Sequence, residues 1–486
     1  MPKILFTHSF FYRLDPKQWS FQQPYPPLGT LLAAAVARKQ NFEASLFDSC
    51  LASSPEEIIP YLQNNNPDFV IIYDDGFNYL TKMCLTVMRE AAFTMARLAK
   101  DNGSTVIICS SDSSDHHEKY FEHGVDYVIR GEGEETLREL LDALNANESI
   151  EKITGLAYQK KQRTIVAPAR PVLRQLDELP MPAWDLVNMD AYRSIWTRKH
   201  GYFSLNIATT RGCPYKCNWC AKPIYGNRYN SRSPQAVANE IEYLLKHYRP
   251  DHFWMCDDIF GLKPGWVEQF NAEVKNRNLK FHYKIQSRVD LLLEEETIHS
   301  LSESGCETVW VGAESGSQKI LDAMDKGTTV PQIYKATQLL KSQGIKVAFF
   351  LQFGYPGEVK NDIDSTLKMV LDLMPDDIGI SVSYPLPGTK FHEQVKGQMK
   401  EKQNWLHSDD MALMFQNTYP PAFYKMLYRY IHCRYRMKRA TNYFMAWIKR
   451  PFASLPNGRK VLSVVYYAIP SMVYAHRLRK FSSHVR

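Results

Sequence analysis

Thr209 to Cys220, TTRGCPYKCNWC, is the stretch whose reading decides the rest of this chain. It sets Cys213, Cys217 and Cys220 in a Cys-x3-Cys-x2-Cys array. Gly212 and Pro214 force a loop at its start, and the apolar, β-prone run Tyr202 to Ala208 leads into it. Three thiols are thus gathered on one short loop after a strand. A closed zinc site takes four ligands, commonly as paired Cys-x2-Cys knuckles, and a fully Cys-ligated iron–sulfur cluster also takes four. No fourth Cys or His stands nearby at ligand spacing. One reading is a zinc loop completed by a distant His or by Cys256. The sharper reading is a [4Fe–4S] cluster held by three thiolates, with one iron left open for a further ligand.

The spacing, with the aromatic Trp219 just before the last cysteine, resembles the signature of the radical S-adenosylmethionine (SAM) enzymes. The resemblance implies that the amino and carboxylate groups of SAM bind the open iron. An electron from the cluster then cleaves the sulfonium to a 5'-deoxyadenosyl radical. The cofactor carries the hard chemistry and the protein orients it. A reducing electron-donor protein is implied as a partner.

At 486 residues the chain is long enough for two or three domains. With 44% hydrophobic and 13% aromatic residues it can bury a full core without staples. Nine cysteines, three of them in the loop, make no disulfide framework. An oxygen-labile cluster points to a reducing, cytoplasmic setting. The opening MPKILFTHSF reads as a strand rather than a signal peptide. No uninterrupted apolar run reaches the ~18 residues of a membrane span.

Residues 1 to 145 alternate short apolar strands (KILFT, FEASLFD, DFVIIYD, TVIICS, DYVIR) with helices, which predicts a doubly wound, Rossmann-like α/β domain with a parallel sheet. PPLG at Pro26 to Gly29 and RGEGE at Arg130 to Glu134, in this order, resemble the cobalamin-binding domain found at the front of one large radical SAM subclass. The resemblance implies cobalamin as a cofactor, contacted by Ser110, Ser111 and Glu132. Ser110 and Ser111 stand where that family has a Gly-Gly-Pro-His run whose backbone approaches the cofactor; serine is small enough for the approach but lacks the permissive backbone of glycine. The acidic Asp74-Asp75 pair also departs from what a phosphate-bearing tail would be expected to meet. No Asp-x-His-x-x-Gly motif supplies a lower axial histidine. Methylthiotransferases offer an alternative, a second cluster on Cys50, Cys84 and Cys109, but a small thiol in a helix or buried strand is ordinarily core.

Residues 146 to 200 read as a connector, a small hairpin followed by a Pro-punctuated linker in which Trp184 and Tyr192 are packing residues. From 201 to 400 the strand and helix alternation resumes, predicting about six β/α units, the partial barrel of radical SAM enzymes. Chemistry in β/α barrels collects at the carboxyl ends of strands, which selects Asp257 and Asp258, Arg288, Glu314 and Ser315, and the turn Gly354, Pro356, Gly357. Each resembles a family turn toward SAM: the DD-x-F turn at its amino group, an RVD turn, a helix start near its ribose and carboxylate, and a GxPGE turn beside its adenine. Trp254, Tyr283, Trp310 and Phe350 face either the barrel or its helical shell, and Tyr384 either the substrate or a structural turn.

The formal charge of +7 is unevenly spread: Met411 to Arg486 holds 14 Lys and Arg and no Asp or Glu, leaving 45 basic against 52 acidic residues before it. Residues 401 to 486 interleave Tyr, Phe and Trp with Arg and Lys, which predicts helices that cap the barrel, lie at an anionic membrane surface, or do both. No RNA-binding module surrounds them, so no nucleic-acid partner is expected. Taken together, the resemblance covers nearly the whole chain. It implies a cobalamin-dependent radical SAM C-methyltransferase acting on a small-molecule, hydrophobic or lipid-like substrate, cytoplasmic or peripheral at the inner face of the membrane. Radical oxidative cyclisation or rearrangement without methyl transfer is the alternative within the family, and a zinc-loop interaction protein that senses a ligand is the alternative outside it.

Overall fold

Two sheets carry the molecule, and the central strands of the front one are apolar and buried on both faces, as strands covered on both sides are. The computed structural model describes residues 1–83, 85–220, 224–399, 404–449 and 458–482. In the front sheet, β1 (Lys3–Thr7), β2 (Glu43–Leu46), β3 (Phe69–Tyr73), β4 (Thr105–Cys109) and β5 (Tyr127–Ile129) run parallel in the order 2-1-3-4-5. Every residue of β3 is buried. The order reverses between β1 and β3, the place where doubly wound sheets bind ligands. The hairpin β6 (Leu156–Lys160) and β7 (Arg163–Val166) from the connector continues the same sheet antiparallel to β5.

The second sheet holds β8 (Ser204–Ile207), then a two-residue ribbon of β9 (Thr210–Arg211) with β10 (Asn230–Ser231), then β11 (His252–Met255), β12 (His282–Ser287), β13 (Cys306–Glu314), β14 (Lys346–Phe353) and β15 (Asp377–Val382). The ribbon aside, the order is 8-11-12-13-14-15, all parallel, and β8 and β15 are not paired with each other. It is a six-stranded open barrel. Alternation sends Val309, Val311, Phe349 and Leu351 into the helical shell and leaves Trp310 and Phe350 on the lumen side. Tyr283 is fully buried in the shell, with its hydroxyl 2.7 Å from Ser304 Oγ.

The connector departs from the expected linker by one element, a helix over Met189–His200. Asn188 caps it by accepting from the Ala191 N–H at 3.2 Å, and Tyr192 and Trp196, four residues apart, are fully buried. Three basic residues in its last turn, Arg198, Lys199 and His200, hide that apolar stripe in the sequence. Trp184 is buried and donates from Nε1 to Glu240 at 3.1 Å, tying the connector to the helix that follows the cluster loop.

The C-terminal region is a hairpin of two helices, Pro421–Lys449 and Gly458–Ser482, the second running through Pro470. Phe423, Tyr424, Leu427, Ile431 and Tyr435 are buried at helical spacing, so the first helix caps the barrel. Among the described residues no helix is long and apolar enough to cross a membrane. The segment before this hairpin reaches back to the front domain. Carbonyls of Trp405 and Leu406 accept from the N–H groups of Thr86 and Val87, which open the helix Thr86–Asp101 and lack intrahelical partners.

Replacing Trp184 with Ala removes a buried indole and its hydrogen bond, and is expected to lower stability by ~3–5 kcal/mol. Trp184→Phe keeps most of the ring and should cost about half as much. Urea midpoints of the two variants check the order.

Candidate active site

The cluster loop is held at its base by one carboxylate. Asp257, 1% exposed, accepts from the N–H of Thr209 at 2.7 Å, the N–H of Thr210 at 2.8 Å and Thr209 Oγ1 at 2.6 Å. Burial pushes it up to about 6. Expected as a SAM contact, Asp257 is instead turned back onto the strand that launches the loop. Gly212 then reverses the chain with φ +76°, and a Cβ there would lie 2.2 Å from the Arg228 carbonyl oxygen, so only glycine fits.

Cys213, Cys217 and Cys220 are half-buried and free of disulfides. Among the described residues no three His, Cys, Asp or Glu side chains are gathered around a single-ion site. Cys256, the residue invoked for a zinc loop, is 3% exposed and donates to the Ile207 carbonyl at 3.2 Å. It is core. Cys50 and Cys109 are buried as well, and Cys84 lies outside the described residues.

Cations stand around the loop, which suits thiolate ligands. Arg288 Nη1 lies 3.9 Å from Cys217 Sγ, its guanidinium covers the Tyr215 ring at 3.6 Å, and its fork is held by Asp290 at 3.0 and 3.1 Å. The Lys326 ammonium is 5.9 Å from the Trp219 ring and 2.8 Å from Glu314. Trp219 Nε1 is buried without a partner. Glu314 itself adopts φ +56°, a strained conformation for a residue with a Cβ. Ser315 is fully buried, with Oγ 3.0 Å from Thr366 Oγ1 and accepting from the Ser317 N–H at 3.1 Å. Asp258 pairs with Lys82 of the front domain.

Asn218 is a residue the sequence reading missed. Its backbone and side chain bond to Met324, Ala323, Tyr355 and Phe391, which clamps the loop to the end of the helix Gln318–Ala323, the turn after β14 and the helix Lys390–Val395. In the turn after β14, Gly354 and Gly357 take φ +76° and +80° on either side of Pro356. Gly354 donates to Glu358 at 2.7 Å, and the Gly357 carbonyl accepts from Lys319 at 2.9 Å. Tyr384 is buried and donates to the Met83 carbonyl at 3.0 Å, which makes it an interdomain support.

The front domain meets this loop through Arg211, also unforeseen. Its guanidinium bridges Glu132 at 2.5 Å and Glu134 at 2.7 Å, with all three side chains at most 5% exposed. The rings of Phe77 and Tyr225, stacked at 5.3 Å, flank it. Glu132, expected at cobalamin, has its second oxygen accepting from the Leu173 N–H. It is a positioning residue. The acidic pair is likewise satisfied from within: Asp74 accepts from Ser9 N and Oγ at 2.7 and 2.9 Å, and Asp75 from the N–H groups of Gly29 and Phe77 at 3.1 Å. Burial pushes Asp74 up to about 6, and its two oxygens are turned onto Ser9 rather than toward a ligand.

Ser110 caps the helix Ser111–Asp115 by accepting from the Ser113 N–H at 2.9 Å. Ser111 Oγ is buried with no partner. A buried hydroxyl left unsatisfied is costly, and a phosphate or amide group of a bound cofactor would satisfy it. At the neighbouring strand end Gly131 (φ +80°) has nothing closer to its Cβ position than a carbonyl at 4.0 Å, which leaves room there. These features fit a nucleotide-tailed cofactor at the carboxyl edge of the front sheet.

Residues 207–370 match the Radical SAM superfamily model, and residues 20–141 match the B12 binding domain model. The chain belongs to the cobalamin-binding-domain radical SAM enzymes. An uncharacterized methyltransferase of Pyrococcus horikoshii is 27% identical to this enzyme over 390 residues, 78% of this chain and 81% of that protein. The anaerobic magnesium-protoporphyrin IX monomethyl ester cyclase of Rubrivivax gelatinosus is 28% identical over 291 residues, 58% of this chain and 52% of the cyclase. The hopanoid C-3 methylase of Methylococcus capsulatus is 24% identical over 413 residues, 82% of this chain and 74% of that protein. The structure of the radical SAM methyltransferase TsrM from Kitasatospora setae, with cobalamin and a [4Fe–4S] cluster bound, superposes with a TM-score of 0.68 at 19% identity, covering 82% of this chain and 78% of that one.

Two outcomes test this geometry. Glu358 is fully buried and its second oxygen has no partner, as has the buried hydroxyl of Tyr424 from the capping helix. Burial pushes Glu358 up to about 8. A carboxyl raised on folding contributes stability that is present below its unfolded value of 4.5 and is lost as pH rises through about 8. Urea midpoints should therefore fall across that window in the wild type, and fall less in Glu358→Gln. Cluster retention after anaerobic reconstitution should drop severalfold in Arg211→Met, because two buried carboxylates lose their counter-ion. Iron and acid-labile sulfide per chain measure it.

Proposed function

We propose that the protein is a cobalamin-dependent radical SAM methyltransferase that methylates an unactivated carbon of a hydrophobic or lipid-like substrate. The observation that supports this best is the meeting of the two carboxyl edges at Arg211, which sets the front-domain ligand edge against the cluster loop. Cys213, Cys217 and Cys220 would hold a [4Fe–4S] cluster, with Arg288 and Lys326 balancing its charge and Trp219 covering one side. The turns at Asp258, Glu314–Ser315 and Gly354–Gly357 border SAM, and the edge at Ser110 and Ser111 takes cobalamin. When bound, these groups supply a 5'-deoxyadenosyl radical and a transferable methyl group. The protein's part is to fix the loop, exclude water from the lumen and hold the substrate. A reducing protein delivers the electron.

The C-terminal hairpin supports an apolar substrate. Its second helix exposes Tyr466, Ile469 and Met472 at 72%, 65% and 70%, and the facing helix exposes Met445 and Ile448. These lie in a region with 14 basic and no acidic residues. Such a face suits the surface of an anionic bilayer. Similarity to the anaerobic cyclase favours a second reading, radical cyclisation without methyl transfer.

Protein reconstituted anaerobically with iron, sulfide and hydroxocobalamin, then given SAM, a strong reductant and a lipid extract, is expected to form both 5'-deoxyadenosine and S-adenosylhomocysteine. Deoxyadenosine alone would sink methyl transfer and leave cyclisation. Sedimentation with phosphatidylglycerol vesicles should exceed that with phosphatidylcholine, and the doubly substituted Ile469→Ser, Met472→Ser protein should bind about tenfold more weakly. Equal sedimentation with both lipids would remove the membrane contact.

A further inference from the structure

The barrel lumen contains a cation that cluster and SAM binding do not use. Lys284, the third residue of β12, pairs in register with Trp254 of β11 and Thr308 of β13. Its neighbours Tyr283 and Ile285 are buried in the shell, so alternation turns Lys284 inward. The ammonium lies 5.4 Å from the ring centres of both Tyr25 and Trp254. Tyr25 comes from the front domain and is anchored by its hydroxyl, 3.3 Å from Ser204 Oγ.

Two aromatic faces are the only partners of this ammonium among the described residues. Burial lowers Lys284 to about 8, and the one group opposing that shift is the Tyr202 phenol. Among the described residues no carboxylate pairs with it. Lys284 is half-buried, so its ammonium reaches the lumen, and a cation set among aromatic faces without a counter-ion is the kind of group that a ligand completes.

Further along the strands, Trp310 one lumen-facing register row and Phe350 two such rows beyond Lys284 line the lumen with an apolar wall. Trp310 and Phe350 stack with ring centres 4.7 Å apart and planes 29° apart, and Phe350 keeps 37% of its surface exposed. Gly379 pairs with Phe350 across β15, and a Cβ there would lie 3.2 Å from the Trp310 ring. Any side chain at Gly379 would push the stack aside. Lys284, Trp310 and Phe350 each precede a strand-end turn (Arg288, Glu314 and Gly354) by four residues. At 3.3 Å per residue each lies ~13 Å below the turn that ends its own strand.

We propose that this part of the lumen is the substrate pocket, in which Lys284 binds an anionic head group, carboxylate or phosphate, while the substrate's apolar body lies on Trp310 and Phe350. The inference rests on the radical SAM reading and narrows its substrate class to anionic amphiphiles.

The test uses full-length protein reconstituted with cluster and SAM. Displacement of the fluorescent probe anilinonaphthalene sulfonate is measured with laurate, dodecyl phosphate and neutral dodecanol. Lys284→Met is expected to weaken at least one of the two anions by about tenfold or more while dodecanol stays unchanged, and the anion that loses more identifies the head group. Lys284→Arg should restore the anion to within about threefold, because a guanidinium also stacks on aromatic rings. Trp310→Ala should weaken all three. Unchanged anion affinity in Lys284→Met, or equal loss of anions and dodecanol with no rescue by Arg, would overturn the proposal. Deoxyadenosine formation by the wild type is assayed in parallel. Its absence would remove the radical reading while the binding result stands, and its presence without any Lys284 effect would remove this inference alone.

Discussion

Arg211 is one guanidinium shared by two buried carboxylates, and the arrangement of both domains depends on it. A buried charge left without its partner costs ~3–5 kcal/mol, and here removal of the arginine would leave two like charges facing each other. Glu132 and Glu134 sit at the end of β5 in the front sheet, whereas Arg211 immediately precedes Gly212 and the first cysteine. The ion pair therefore converts the position of one sheet into the position of the cluster loop. Phe77 and Tyr225 exclude water from it, which strengthens the attraction. Lys82 with Asp258, and Tyr384 with Met83, repeat the same link at the edges of the interface.

From this constraint the remaining supports follow in order. Asp257 fixes Thr209 and Thr210, the Gly212 reversal starts the loop, and Asn218 pins its far side to the end of the helix Gln318–Ala323 and to Tyr355 in the turn after β14. The capping helix then packs on the last of these turns, because Tyr424 lies 3.2 Å from the Cβ position of Gly354. A glycine is required there for the backbone angle and for the contact alike. The C-terminal hairpin is thus part of the site's wall as well as a basic surface.

Much of this was legible in the chain. Short apolar strands between amphipathic helices are read from periodicity alone, and the three cysteines, the strand-end turns and the capping helices all fall where the pattern puts them. What was not legible shares one cause. A carboxylate at a strand end looks the same whether it faces a ligand or a neighbouring backbone, so Asp257 and Glu132 were expected at cofactors and instead hold Thr209, Thr210 and Arg211. Likewise, Tyr283 and Trp310 differ in sequence only by strand phase, and the shell or lumen assignment needs the register. The helix Met189–His200 was obscured because its apolar stripe of Tyr192 and Trp196 is narrow and its flanks are charged.

The central claim is that the front-domain edge and the cluster loop form one site. It is tested most directly by the electron spin relaxation of cob(II)alamin bound to the protein, compared between wild type carrying a reduced cluster and Cys217→Ser lacking it. A shared site predicts clearly faster cobalt relaxation in the clustered protein, through magnetic coupling between the two centres. Identical relaxation in both, with cobalamin bound in each, would contradict the account.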